Sequence, residues 1–144
     1  NELYSFRFSR NLDYVFDHGI DAADELYTSS NVALMAIQIA LYMGCREIVL
    51  LGVDHDWIFA TTAAERARTN FYAPEDSLLI QSGTSPWHEA QDVDWLLEFE
   101  YYHLLWKQYA TMRHYARGQG VRIVNASAGG ILDVFPREPL ESVL

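Results

Sequence analysis

The feature that most constrains the fold is an apolar helix that runs directly into an apolar strand. Residues Val32 to Met43 contain one strongly polar side chain, Gln38, and Gly44 follows them. This pattern predicts a helix that is buried on most sides and ended by a glycine. Arg46 to Val53 comes next, and its apolar run Ile48 to Leu51 is typical of a strand covered on both faces. Such a short link between helix and strand is typical of α/β units.

A second helix and strand complete a crossover unit. Gln91 to Arg117 predicts a long amphipathic helix, Gly118 and Gly120 end it, and Val121 to Asn125 predicts a second buried strand. The predicted apolar stripe of this helix consists of Val93, Leu97, Tyr101, Leu104, Leu105, Met112 and Tyr115. Since strand, crossover helix and strand form a parallel βαβ unit, the chain is predicted to be an α/β protein whose two strands are parallel.

The remaining segments give weaker patterns. Leu3 to Phe8 alternates like an edge strand, and Asn11 to Thr28 is interpreted as loop with one short helical turn. Trp57 to Trp87 shows no period and is interpreted as a candidate lid, because irregular loops of this length are rare in compact domains. Ile131 to Phe135 is interpreted as a short strand, and Pro139 as the start of a last helical turn.

Length, charge and cysteine content limit the class of protein. The 144 residues fit one domain over the whole chain, and a net charge of -10 argues against nucleic acid and anionic membranes as partners. Cys45 is the only cysteine, no apolar run is long enough to span a membrane, and no signal peptide is recognisable. We therefore expect a cytoplasmic protein, and its 4 Trp and 9 Tyr leave apolar surface for homo-oligomers.

The first candidate site lies where the first buried strand ends. This end carries Gly52, Asp54 and His55 within a few residues, and ligands of parallel sheets bind beyond the carboxyl ends of the strands. His55 is a candidate general acid or base near neutral pH, and Asp54 is a candidate to orient it or to hold a divalent metal. The alternative is that Asp54 caps a turn and His55 is a solvated loop residue.

The second strand end and the start of the first helix supply candidate phosphate contacts. Asn125 to Gly130 joins small polar residues to glycines that let the backbone approach a ligand, although a tight turn alone accounts for the same pattern. Ser30 and Asn31 open the apolar helix, where they cap it and are candidates to hold a phosphate.

Three stretches carry a resemblance to a known family, namely Ser30 to Gly44, Glu47 to His55 and Asn125 to Glu141. They resemble the 6-hydroxymethylpterin diphosphokinase-like family, which includes flagellin-glycosylation and polysaccharide-locus proteins. The arrangement of helix, strand and Gly-x-Asp is also similar to that of bacterial sialyltransferases that use a CMP-activated sugar. The resemblance implies a Rossmann-like three-layer αβα fold with a mainly parallel open sheet. It also implies transfer from a nucleotide donor, either ATP with Mg²⁺ or a sugar nucleotide such as a CMP-sugar.

The resemblance also implies a set of crevice residues and shows two departures. The implied crevice positions are Ser30, Asn31, Gly52, Asp54, His55, Asn125, Ser127, Gly129 and Gly130. Many relatives carry a Gly-x-Gly-Pro-Ser segment after their first strand, which this sequence lacks, and His-Phe where this chain has Asn70-Phe71. The missing Gly-x-Gly-Pro-Ser segment implies either the C-terminal part of a longer protein or a reduced family member.

Three hypotheses about function follow. The first is a transferase-like domain that binds a nucleotide-activated donor, with His55 as acid or base and Asp54 as the partner of Mg²⁺ or of the ribose. The second is a ligand-binding or assembly module that keeps the fold without catalysis. The third, a hydrolase that uses Asp54 and His55 with a metal, ranks last because the sequence shows no ligand set.

Overall fold

The computed structural model describes residues 7–9, 19–23, 25–27, 31–61, 65 and 94–144. Ser30, Asn70-Phe71 and most of the predicted lid lie outside these residues, so the predictions made for them stay predictions. The chain divides into two compact units. The first comprises Asn1–Asp54 with Tyr102–Leu144, and the second comprises His55–Tyr101.

The apolar helix begins and ends where the sequence predicts. Helix α1 spans Val32–Tyr42, and the side chain of Asn31 caps it by accepting a hydrogen bond of 2.6 Å from the backbone N–H of Ala33. Gly44 has a φ of 79°, a left-handed conformation that glycine adopts without a steric penalty. The predicted cap and glycine stop are therefore confirmed.

The two predicted strands are parallel neighbours. Strand β3 spans Glu47–Leu50 and pairs in parallel with strand β4, Arg122–Asn125, with Ile48 opposite Ile123. The expected burial holds for β4, where three of the four residues are buried. It fails for β3, where the side chain of Val49 is 37% exposed and that of the following Leu51 is 62% exposed. An apolar run alone therefore does not show that both faces of a strand are covered.

A second parallel pair corrects the interpretation of Asn11 to Thr28 as loop. Strand β1 spans Arg7–Ser9 and pairs with strand β2, Glu25–Tyr27. The buried carboxamide of Gln38 accepts a hydrogen bond of 2.9 Å from the N–H of Tyr27 and donates one of 3.1 Å to its carbonyl. Gln38 thus satisfies both backbone groups of Tyr27 as a neighbouring strand would.

The long helix forms, but its buried face differs from the predicted stripe. Helix α2 spans Trp95–Gly118. Leu105 and Met112 are buried as predicted, whereas Leu97 is 61% exposed and Leu104 is 43% exposed. The buried positions are Glu98, Tyr102, Leu105, Gln108, Tyr109, Met112 and Ala116. In the first half of the helix the buried face is shifted by one residue, since Tyr102 is buried next to the predicted Tyr101.

The chain after β4 forms an irregular loop around Asn125 and corrects the strand predicted for Ile131 to Phe135. Its only strand-like pairing is one isolated bridge from Asn125 to Arg137. The N–H of Asn125 donates to the carbonyl of Pro136, and the carbonyl of Asn125 accepts from the N–H of Glu138. The short 3₁₀ helix Leu140–Ser142 begins after Pro139, as predicted.

Taken together, the described residues form a mixed helix and strand structure with small parallel sheets of two strands each. Within this described part of the chain, no helix is long and apolar enough to cross a membrane. The core of the first unit contains Tyr109 and Phe135, whose rings meet edge to face with centroids 5.8 Å apart.

Candidate functional site

The ends of β3 and β4 are joined by hydrogen bonds, so the two candidate segments lie together. The hydroxyl of Ser127 accepts a hydrogen bond of 3.0 Å from the N–H of Val53. The carbonyl of Asp54 accepts one of 2.7 Å from the N–H of Ile131. The segment that contains Asp54 and the turn Asn125–Gly130, called here the strand-end turn, are therefore in direct contact, as parallel strand ends predict.

Two glycines of the candidate site adopt left-handed conformations for different reasons. Gly130 has a φ of 81°, and a Cβ atom there would overlap the backbone of Asp54. Gly52 has a φ of 69°, yet a Cβ atom there would meet open space. Gly130 therefore permits a close approach of two backbone segments, whereas Gly52 only permits a turn. A Cβ atom at Gly129 would likewise meet open space.

Asn125 organises the strand-end turn from inside the protein. Its side chain is 1% exposed. The carboxamide nitrogen donates to the carbonyl of Leu132 over 3.0 Å, and the carboxamide oxygen accepts from the N–H of Ser127 over 3.0 Å. Both ends of the amide thus have partners in the protein, and the structure assigns Asn125 a part in shaping the turn.

Arg137 is the residue of this region that the sequence analysis missed. Its guanidinium group donates hydrogen bonds of 2.9 Å to the carbonyl of Gly129 and 2.8 Å to that of Gly130, with a longer one of 3.4 Å to Ser127. No carboxylate among the described residues forms an ion pair with it. The arginine therefore brings an uncompensated positive charge to the strand-end turn.

A depression of about 540 Å³, called here the strand-end groove, opens beside this arginine. Its lining combines the strand-end turn with the loop that carries Arg137. The lining residues are Leu51, Asn125, Ala126, Ser127, Ala128, Arg137, Glu138, Pro139, Leu140 and Glu141. Asn125 and Ser127 are thus the two predicted site residues in this lining, while Gly52, Asp54, Gly129 and Gly130 are not part of it.

Two acidic residues, Glu138 and Glu141, also line the strand-end groove. Glu138 accepts hydrogen bonds of 2.5 Å from Arg122, which also pairs with Glu47. These three side chains are partly exposed and join β3, β4 and the following loop. Neither Glu138 nor the other carboxylate of the groove, Glu141, forms an ion pair with Arg137.

His55, which lies in the second unit, is buried, so the alternative interpretation as a solvated loop residue is wrong. The residue is 5% exposed and its backbone has a φ of 53°. Its ring meets that of Trp57 edge to face with centroids 4.9 Å apart. Burial lowers the pKa of His55 to about 4, against a smaller opposing effect of Asp56. The imidazole is therefore neutral at pH 7 and has no proton to supply as an acid.

Asp54 is the carboxylate that the sequence analysis assigns to a divalent metal. No cluster of three or more His, Cys, Asp or Glu side chains occurs within the described ranges. Asp54 is half-buried at the end of the segment that follows β3. A single carboxylate matches Mg²⁺ sites in which substrate phosphates and water supply the other ligands.

The start of α1 shows the predicted cap and leaves the predicted phosphate contact untested. The side-chain oxygen of Asn31 is used to cap the helix through Ala33. Its predicted neighbour Ser30 lies outside the described residues. The phosphate contact predicted at this helix start therefore stays a prediction.

Comparisons of the chain with protein-family models, with curated proteins and with solved structures found no match. The arguments about function consequently rest on the residues themselves and on the geometry of the strand-end groove.

Proposed function

We propose that this chain is a transferase-like protein with a Rossmann-like sheet that binds a nucleotide-activated donor, a sugar nucleotide or ATP, in the strand-end groove. The observation that carries the proposal is the guanidinium of Arg137, held by the carbonyls of Gly129 and Gly130 without a carboxylate partner among the described residues. Arginine binds phosphate oxygens through paired N–H groups, so a donor phosphate supplies the missing negative charge.

The rest of the groove suits a nucleotide. Leu51, Pro139 and Leu140 offer apolar surface for a base, while the strand-end turn offers polar groups for ribose and phosphate. The groove also lies beyond the carboxyl ends of two parallel strands, where open α/β sheets bind their ligands. In a chain with a net charge of -10, a local cation favours the binding of an anionic ligand, and Arg137 supplies one at the groove.

Roles for Asp54 and His55 follow from their chemistry. Asp54 lies outside the lining of the strand-end groove but contacts the strand-end turn through its backbone. It is the carboxylate that would hold Mg²⁺, and Mg²⁺ when bound there would neutralise charge on donor phosphates that extend past the turn. The catalytic role of His55 stays a prediction. With its pKa lowered to about 4 by burial, a neutral His55 can accept a proton but is a weak base, so acid catalysis by this residue at neutral pH is not part of the proposal.

A thermal-shift screen tests the proposal directly. The chain is heated with CMP, CDP, UDP, GDP and ATP, each with and without Mg²⁺. We expect at least one nucleotide to raise Tm, because a ligand at 100 times its Kd stabilises the folded state by about 2.7 kcal/mol. No shift with any nucleotide would contradict the proposal.

Variants of Arg137 locate the binding. R137Q removes the charge, R137K keeps it, and R46Q serves as the matched control because Arg46 lies outside the lining of the groove. We expect R137Q to lose the nucleotide-dependent shift, R137K to keep part of it and R46Q to keep all of it. Equal shifts in R137Q and the native chain would show that the nucleotide binds elsewhere.

The second candidate, a ligand-binding or assembly module without catalysis, is favoured by a specific observation. His55 is buried and neutral, and Asn125 uses both ends of its amide within the protein, so neither resembles a residue poised for chemistry. Incubation with a nucleotide that gives a thermal shift separates the two candidates. Consumption of the donor supports a transferase, and unchanged donor at full occupancy supports the module.

A further inference from the structure

A pocket between the C-terminal end of α2 and the start of β4 gathers three arginines. We call it the arginine pocket. Arg113 and Arg117 lie one turn apart on α2, and Arg122 is the first residue of β4. The strand-end groove lies at the other end of β4, roughly 10 Å along the strand at the usual rise per residue. The two sites are therefore separate.

Two of the three arginines in the arginine pocket have no carboxylate partner among the described residues. Arg122 pairs with Glu47 and Glu138. Arg113 donates a hydrogen bond of 2.8 Å to the carbonyl of Val134, a neutral group, which fixes its position. No described carboxylate forms an ion pair with Arg113 or Arg117. Arg113 and Arg117 thus bring positive charge without a carboxylate partner to this pocket of an acidic chain.

The helix end explains part of this arrangement but not all of it. A cation in the last turn stabilises a helix through its dipole, which accounts for Arg117. The last carbonyls of α2 are already satisfied, since Ala116 accepts from Val121 and Arg117 accepts from Gly120. The helix dipole does not account for a second unpaired guanidinium at Arg113 or for the pocket between them.

The walls of the arginine pocket indicate the size and nature of a ligand. Apart from the arginines, its lining is apolar and consists of Ala116, Val121, Ile123 and Pro136. Its volume is about 200 Å³, less than half that of the strand-end groove. A ligand of matching chemistry has one anionic group for the guanidinium groups and one compact apolar body for the walls.

We propose that the arginine pocket binds a carboxylate attached to a small apolar group. The carboxylate pairs with Arg117 and Arg113, and the apolar group contacts Val121 and Ile123. A carboxylate matches the fork of an arginine in a bidentate pair. Two sources share this chemistry, a free aromatic or branched acid and the C-terminal carboxylate of a peptide that ends in an apolar residue. The proposal is independent of nucleotide binding at the strand-end groove.

Isothermal titration of the full chain with benzoate and with benzamide tests the role of the charge. The two probes share the same ring, and only benzoate carries the anion. We expect saturable binding of benzoate and at least about tenfold weaker binding of benzamide, because the amide lacks the charge-assisted hydrogen bonds. Equal binding of both probes, or no benzoate binding at concentrations up to about 10 mM, would overturn the proposal.

Two variants and a peptide complete the experiment. R117Q is expected to weaken benzoate binding about tenfold or more, whereas R46Q, outside the arginine pocket, leaves it unchanged. R117K guards against a folding defect, since it keeps the charge at the helix end and should keep part of the binding. Benzoate binding that is equal in R117Q and the native chain would show that Arg117 serves only the helix.

The peptide Gly-Gly-Phe, with and without a C-terminal amide, then distinguishes a chain terminus from a free acid.

Discussion

Burial changes what His55 can do as a titratable residue. An imidazole in water has a pKa near 6.5, but burial lowers the pKa of His55 to about 4. The unfolded chain therefore takes up a proton at a higher pH than the folded chain. Between these two values the unfolded state binds more protons, so protonation favours unfolding as the pH falls.

This difference predicts a pH-dependent stability that H55N removes. From pH 6.5 down to pH 4, the free energy of unfolding of the native chain should decrease relative to that of H55N. Well above pH 6.5, His55 is neutral in both the folded and the unfolded native chain. The difference in the free energy of unfolding between the native chain and H55N should then be constant. Asparagine is chosen because it tolerates the positive φ at this position. Urea unfolding at several pH values measures the effect, and parallel stability curves would show that burial does not perturb His55.

At the residue scale, the sequence predicts which residues meet at the strand ends better than it predicts which groups a long side chain contacts. The contact of Asp54 with the strand-end turn follows from two parallel strands that end at one edge. Arg137 was missed because its guanidinium reaches back to Gly129 and Gly130 by a path that only the folded loop defines. Gln38 was noticed as the one polar residue of α1, but its pairing with Tyr27 is a tertiary contact without a sequence signal.

At the element scale, the strand-end turn depends on the close approach of two backbone segments. At Gly130 a Cβ atom would overlap the backbone of Asp54, so G130A must displace either the turn or the end of the β3 segment. We expect G130A to lower the free energy of unfolding by about 3 kcal/mol or more, since it combines a positive φ with a clash. Chemical denaturation at neutral pH measures the loss.

G52A is the matched control, because Gly52 shares a positive φ but has open space around it. Its expected cost is about 1 kcal/mol, the penalty of the left-handed conformation alone. If G130A and G52A cost the same, the close approach to Asp54 would not be a feature of the folded protein.

The differences between expected and observed elements have physical causes. Strand β2 has three residues, too few for a period, and it forms because β1 pairs with it and Gln38 supports it. The buried face of α2 was misplaced because Tyr102 and Tyr109 are buried while Leu104 is exposed. Hydrophobic periodicity correctly indicated that the helix exists, but tertiary packing decided which residues it buries.

At the scale of the whole molecule, the central claim concerns where an acidic protein accepts an anion. Its net charge is -10, yet the strand-end groove with Arg137 and the arginine pocket with Arg113 and Arg117 both present arginines that form no ion pair with a described carboxylate. The larger strand-end groove suits a nucleotide, and the smaller arginine pocket suits a compact carboxylate. The two proposals therefore make separate claims about ligand and position.

The most direct test of the central claim is an NMR titration of the ¹⁵N-labelled chain with CDP and with ATP, in the presence of Mg²⁺. The account predicts saturable shifts that are largest at the backbone amides of Ala126, Ser127 and Ala128 and at the side chain of Arg137. In R137Q these shifts should disappear, while the spectrum of the rest of the fold is retained. Shifts confined to Arg113 and Arg117, or no shifts at nucleotide concentrations up to about 10 mM, would contradict the account.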